Sequence, residues 1–445
     1  MRIQLSDHFT YKKLLRFTLP TVLMLVCTSM YSVVDGFFVS NFVGKTSFAA
    51  VNLVFPVTMG VAAIGFMLGT GGSAVVAKTV GEGKRELANQ YFSMIIYVGI
   101  GLSVLFSAVC FLFMPQIGRM LGAEGKLLED CIIYGRVLFL AETAFILQNM
   151  FQSFLVAAEK PALSLKINIA AGLTNIVLDY VFIAVFRWGL AGAALATGMG
   201  QVVGGLAPLI YFARKNDSLL RLTGKVKLYG KVLLKTCGNG SSEMVTNLST
   251  SLVNILYNFQ LMRLAGEDGV AAFGVIMYVN FIFIAVFMGY SIGSAPVVSY
   301  HYGAGNSGEL RNLYKKSLIL LIAGGVILTV AAEVFSRPLV RIFVSYDPAL
   351  LDMTVEGFRL FSLAFLFMGI NVWGSAFFTA LNNGVVSAAI SFLRTLVFQI
   401  IAVLVLPALM GITGVWIAVL AAEGAALIVT AGFLYGERKK YHYGE

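Results

Sequence analysis

The chain has 445 residues, 58% of them hydrophobic and only 12% charged, with a mean hydropathy of +0.86 and a formal net charge of +10. Ordinary globular domains run at about 45–50% apolar and about 25% charged, so this chain has too few charges to coat a soluble surface, which excludes a cytosolic enzyme, a disordered chain and a soluble binding module. At about 20 apolar residues per membrane-spanning helix, the hydrophobic content suffices for about a dozen spans and leaves little for a soluble domain.

Residues 1–17 lack a short apolar core followed by a small-residue cleavage site, so the first apolar segment is expected to stay in the mature protein. Breaks at charges, glycine and proline predict twelve helices, over 17–40, 47–75, 91–114, 131–157, 163–186, 190–213, 236–262, 270–298, 313–335, 354–380, 386–408 and 412–435. With both termini inside, 23 of the 32 Lys and Arg residues fall in inside-facing segments and nine outside, a bias that places both termini in the cytoplasm. Positive charge in so apolar a chain bears on topology, and no nucleic-acid partner is expected. Lys166 and Arg394 lie near cytoplasmic helix ends, from which they are expected to snorkel. Cys27, Cys110, Cys131 and Cys237 fall in or beside apolar segments and read as small core hydrophobes.

The longest basic stretch, Arg214 to Lys235, lies mid-chain and reads as a linker, giving lobes at 1–213 and 236–445 joined by 214–235. An offset of 222 residues brings landmarks into register: Gly44 onto Gly266, Gly81 onto Gly303, Asn149 and Ser153 onto Asn371 and Ser375, Gly189 onto Gly411. Six spans per half is even, so the repeats are parallel and related by an axis along the membrane normal, with a cavity expected between them. In span 6, Gly192, Ala196, Gly200 and Gly204 recur every four residues, the spacing of a close helix-packing seam.

Ionisable residues deep in a span are costly and normally serve a pathway. Those in this chain are mostly acids: Asp35, Glu142, Asp179, Glu243 and Glu423. Such an interior favours protons, metal cations or organic cations over anions. Asn175 and Asp179 share one helix face, Asp35 comes from a second helix and Thr197 from a third. This oxygen-only set suits a hard cation such as Na⁺, and equally a proton, because burial and a like-charged neighbour favour protonation of a carboxylate. Tyr257 and Ile401 occupy the offset positions of Asp35 and Asp179, so ion chemistry is expected in the first half. No phosphate-binding loop is present and the three histidines have no metal-ligand spacing. Energy must come from a gradient, without a cofactor or structural metal.

The chain resembles the multidrug and toxic compound extrusion (MATE) family over essentially its whole length, through MYSVVDGFFVSNFVG (30–44), GTGGSAVVAKTVGEGK (69–84), AAEKP (157–161), NIVLDYVFI (175–183), WGLAGAALAT (188–197), GYSIGSAPVVSYHYGAGN (289–306) and GVWIAVLAAE (414–423). The Asp in span 1 and the Asn-x-x-x-Asp in span 5 resemble its DinF-like and MepA-like branches. The resemblance implies an all-α integral membrane fold of twelve transmembrane helices in two six-helix lobes with pseudo-two-fold symmetry around a V-shaped cavity. It also implies alternating access, and export of cationic amphipathic drugs against H⁺ or Na⁺. Carried over by position, the first-lobe ion site falls on Asp35, Glu159, Asn175, Asp179 and Thr197. Of the second-lobe acids of the NorM-like branch, Glu243 meets one, while span 10 offers Asn371.

The expected function is thus a monomeric, multi-pass antiporter of the bacterial inner membrane, surrounded by lipid, with Glu142, Glu243 and Asn371 as candidate residues of the substrate cavity. A flippase for lipid-linked sugar pyrophosphates is the alternative. It would need Arg or Lys in the cavity, where the sequence places acids. An enzyme is not expected, since no His, Cys or Ser constellation has a suitable spacing.

Overall fold

The computed structural model describes residues 3–444 apart from 44, 225 and 346, and the side chains at 32–33, 35–37, 39–41, 45 and 48 lie outside the described residues. Every regular element among the described residues is helical. In chain order these are α1 (Tyr11–Phe42), α2 (Lys45–Gly81), α3 (Arg85–Leu112), the short α4 (Met114–Met120), α5 (Gly125–Ala157), α6 (Pro161–Asp179) continued by a π turn (Tyr180–Val185), and α7 (Gly189–Ala213). The second half comprises α8 (Gly230–Gly303), α9 (Ser307–Arg341), α10 (Pro348–Ser362), α11 (Phe365–Ala380), α12 (Gly384–Phe392), a π turn (Leu393–Val397), α13 (Phe398–Met410) and α14 (Ile412–Gly436).

Among the described residues nine helices are long and apolar enough to span a membrane, and the bent pair α10 and α11, meeting at 50°, makes a tenth. The remaining two of the twelve spans have physical causes. The 74 residues of α8 would run about 110 Å as one helix, several times the hydrocarbon thickness. Gly266, at φ 63° and ψ −147°, breaks it in a conformation that a side chain would resist. The chain then doubles back, so that Tyr257 and Phe273, sixteen residues apart, stack with ring centroids 4.9 Å apart. The other span is α5, whose second half is diluted by Glu142, Gln148, Asn149 and Gln152, all buried. Such a helix sits inside a lobe, because lipid would not tolerate its polar face.

Two apolar cores result. One joins residues of α2, α3, α5 and α7 with Leu220, whereas the other joins the helices from Val253 onward with Leu5, Phe9, Leu14 and Phe17. The chain's beginning therefore packs on the second half. Leu5 donates its amide to Glu159 at 2.7 Å, Phe9 donates to Glu309 at 2.9 Å, and His8 Nδ1 lies 2.6 Å from the Glu309 carboxylate. Tyr441 packs on Tyr302 beside the same turn, so both termini lie on one side of the molecule.

On that terminal side the halves close with two-fold reciprocity. A Cβ on Gly81 would stand 2.0 Å from the Tyr300 oxygen, and one on Gly303 would stand 2.0 Å from the Lys78 oxygen. These contacts map onto each other under the 222-residue offset. The same holds for Gly71 against Gly240 and Gly293 against Thr18, which join α2 to the first arm of α8 and the second arm of α8 to α1. Backbones meeting this closely exclude water and define a shut end.

Candidate functional site

Between the halves lies a narrow cavity lined by residues of both. Thr70 and Ser73 of α2 and Ser153 of α5 line it from the first half, and Glu243, Met288, Ser291 and Thr379 are among its lining from the second. Glu243 is the only charged side chain among the described lining residues. The cavity sets one carboxylate and several hydroxyls among apolar walls of Met288, Ile292, Ala295, Val372 and Ala376, an arrangement that favours positive over negative charge.

Asn371 and Glu142, expected to line the cavity, lie elsewhere. Asn371 on α11 is fully buried and donates Nδ2 to the Glu423 backbone oxygen at 2.9 Å and to its Oε2 at 2.7 Å. Glu423 also takes Arg394 Nε at 2.9 and 3.1 Å on its two carboxylate oxygens. The expectation that Arg394 snorkels is thereby corrected: its side chain is 10% exposed and paired inside the second lobe. An ion pair this deep stands only because its remaining hydrogen bonds are supplied, here by Asn371. Glu142 is buried in the first lobe, within electrostatic range of Cys110 on α3, with neither carboxylate oxygen hydrogen-bonded in the described structure.

The first-half set divides. Asn175 Nδ2 lies 3.4 Å from Thr197 Oγ1, which brings α6 and α7 together at this point. The predicted seam on α7 makes that approach possible, since Gly200 packs on the Ala171 oxygen and the Asn175 Cβ. Asp179, fully buried, is one turn beyond Asn175 at the step into the π turn, a local unwinding often found at functional sites. Asp35 lies on α1, but its side chain is outside the described residues. Its level is set by Tyr31, whose ring abuts Gly172 of α6, so Asp35 stands one turn further along a helix packed beside Asn175 and Asp179. Glu159 does not join them. It sits at φ 62° in the loop before α6, the whole of which, roughly 28 Å, separates it from Asp179, and it holds the amide of Leu5.

The cavity hydroxyls and the Arg394–Glu423 pair escape sequence reading. Ser153 and Ser375 align as repeat landmarks, which hints at an inward face, but nothing in the sequence selects Thr70 or Thr379.

The MatE family model matches this chain twice, at residues 20–181 and 243–405. The chain belongs to the MATE family. The two matches begin 223 residues apart, close to the repeat offset that the glycine contacts obey. Among curated MATE relatives, the chain is 23% identical to the multidrug export protein MepA of Staphylococcus saprophyticus and 24% identical to that of Staphylococcus aureus strain MRSA252, in both cases over 96% of this chain and 93% of the relative. A solved structure, the outward-facing conformation of a multidrug resistance MATE family transporter, superposes with a TM-score of 0.91 at 25% identity, covering 98% of this chain and 96% of the other. The two-lobed, twelve-helix MATE fold is thus the fold of this chain.

Proposed function

We propose that this MATE protein exports cationic amphipathic compounds in exchange for H⁺ or Na⁺. The observation that carries the proposal is the interlobe cavity, whose described lining presents Glu243 among apolar and hydroxyl side chains and no Lys or Arg. The MepA relatives, named as multidrug export proteins, support the same reading. The coupling ion is held by Asp35, Asn175, Asp179 and Thr197, with Asp179 and Asp35 as the charged pair and the Asn175 amide and Thr197 hydroxyl as neutral ligands. Glu159, far from this set, acts at the terminal side. The lobes, 1–213 and 236–445 joined by 214–235, rock about the crossing of α1, α2 and the two arms of α8. Both termini are cytoplasmic, in a bacterial inner membrane, and the closed terminal side makes this the state from which substrate leaves outward. The protein works as a monomeric transporter and not as an enzyme. A lipid-linked pyrophosphate would need cavity cations, so the flippase alternative gains no support from the described lining.

Ethidium binding to the detergent-purified protein tests the cavity assignment. Glu243→Gln should weaken it at least ten-fold while leaving a neutral dye of similar size unaffected. Equal ethidium affinity in the two proteins would contradict it.

A further inference from the structure

The stretch between α7 and α8 is fastened to the first lobe. Arg85 Nη2 donates to the Ser218 oxygen at 2.8 Å, the Arg221 amide donates to Asn89 Oδ1 at 3.0 Å, the Thr223 amide donates to Ser93 Oγ at 2.9 Å, and the Tyr97 hydroxyl donates to the Thr223 oxygen at 3.1 Å. These bonds lay it along the start of α3, where that helix enters its apolar span. Its inner side is apolar and packed: Leu220 is fully buried in the first core, and Leu222, Val226, Val232 and Leu233 pack against that core. The outer side has no such cover. Leu228 and Leu234 are each 75% exposed, and Lys227, Lys231 and Lys235 beside them are exposed as well. Lys231, Leu234 and Lys235 stand three and four residues apart at the start of α8, so they share one face of that helix.

The charge of this stretch is not balanced by the protein. Residues 214–235 carry seven Lys and Arg against one acid, Asp217, which Lys160 already engages at 2.6 Å. Among the described residues, Arg214, Lys215, Arg221, Lys227 and Lys231 have no carboxylate partner. Lys235 lies within electrostatic range of Glu82, which is shared with Lys78 at 3.7 Å and Lys84 at 3.3 Å. Leucines left in the open between unpaired lysines, at the level where a neighbouring helix enters the bilayer, match the boundary between headgroups and acyl chains. There the apolar side chains reach inward and the ammonium groups stay with the phosphates.

We propose that Lys227, Leu228, Lys231, Leu234 and Lys235 form a docking site for an anionic phospholipid. The three ammonium groups pair with the headgroup phosphate, and Leu228 and Leu234 pack against the acyl chains. A zwitterionic lipid brings the same phosphate, but its own ammonium cancels the charge, so the lysines select a net negative headgroup. The site goes beyond the transport reading and depends neither on the coupling ion nor on the exported compound.

The test is native mass spectrometry of the detergent-purified full chain, titrated with phosphatidylglycerol or with phosphatidylcholine of the same acyl chains. The native protein should bind phosphatidylglycerol at least about ten-fold more tightly. Lys227→Gln/Lys231→Gln/Lys235→Gln should abolish that preference. Arg438→Gln/Lys439→Gln/Lys440→Gln, which removes the same charge near the C-terminus on the same side of the molecule, should retain it. Leu228→Ser/Leu234→Ser should weaken phosphatidylglycerol binding at least about three-fold, and millimolar inorganic phosphate should leave the bound lipid in place. All five substituted side chains of the site are exposed, so the unfolding midpoints should match that of the native chain. Equal binding of the two lipids by the native chain, equal loss in the two charge variants, or native affinity in the leucine variant would each overturn the proposal. Displacement of the lipid by inorganic phosphate would overturn it too, by showing a site for a small anion.

Discussion

Gly303→Ala tests whether the terminal side closes by backbone contact between the repeats. The added Cβ would stand 2.0 Å from the Lys78 oxygen, whereas ordinary contact begins near 3.4 Å, so α2 and α8 must part by about 1.4 Å. The neighbour in the way is backbone, which cannot rotate aside. Overpacking of this kind costs about 1–3 kcal/mol. The cost falls on the closed state alone, and such a difference shifts a two-state equilibrium about 5–150-fold towards the state with that side open. A cysteine at Thr236, which is fully buried with its backbone oxygen against Gly71, reports the change once Cys27, Cys110, Cys131 and Cys237 are replaced by alanine. Maleimide labelling of that cysteine should accelerate at least five-fold in Gly303→Ala and further when Gly81→Ala is added. Gly101→Ala, where a Cβ meets nothing within 4 Å, should change nothing. Labelling at the reference rate in a folded Gly81→Ala/Gly303→Ala protein would refute the reasoning.

Further outcomes follow from individual contacts. Arg394→Met should destabilise the protein by about 3–5 kcal/mol, because it strands Glu423 as an unpaired buried charge, while Arg394→Met/Glu423→Met recovers most of the loss; thermal unfolding in detergent reads both. Phe9→Ala empties a fully buried position in the second core, at a cost of about 3–5 kcal/mol, and should lower the unfolding midpoint more than His8→Ala, whose side chain is 67% exposed. Asp217 of the linker lies 2.6 Å from Lys160 of the loop before α6, whose ammonium holds the carboxyl below the usual carboxylate range. A depressed carboxyl stabilises above its unfolded pKa and loses that contribution as pH falls through the folded value. Protease cleavage around residues 214–217 should therefore be unchanged from pH 7 to pH 5 and rise only in stronger acid, or in high salt, which screens so exposed a pair.

The twelve spans are legible because long apolar runs have few alternatives in a chain with so little charge, and the repeat is legible because turn glycines recur. The departures are local. The fold-back at Gly266 falls between the spans expected at 236–262 and 270–298, whereas α4 is too short to show a period. That Leu5 and Phe9 plug the second half depends on Glu159 and Glu309, partners 154 and 300 residues away in the chain. Of the buried acids the sequence offers, nothing in it tells that Glu243 faces the cavity while Glu142 and Glu423 do not. A helix buried on most sides shows no polar stripe to separate cavity from lobe interior, so Asn371 and Glu243 look alike in sequence, although one serves Glu423 and the other the cavity. Arg394 reads as a snorkelling residue until Glu423, 29 positions away, is found within hydrogen-bonding distance.

Ethidium efflux from proteoliposomes, under a pH gradient and a Na⁺ gradient imposed separately, measures the exchange proposed for Asp35 and Asp179. The native chain should follow one of the two gradients, and Asp179→Asn should abolish that efflux while leaving the protein folded and its Glu243 cavity able to bind ethidium. Efflux that ignores both gradients, or that persists unchanged in Asp179→Asn and Asp35→Asn, would contradict it.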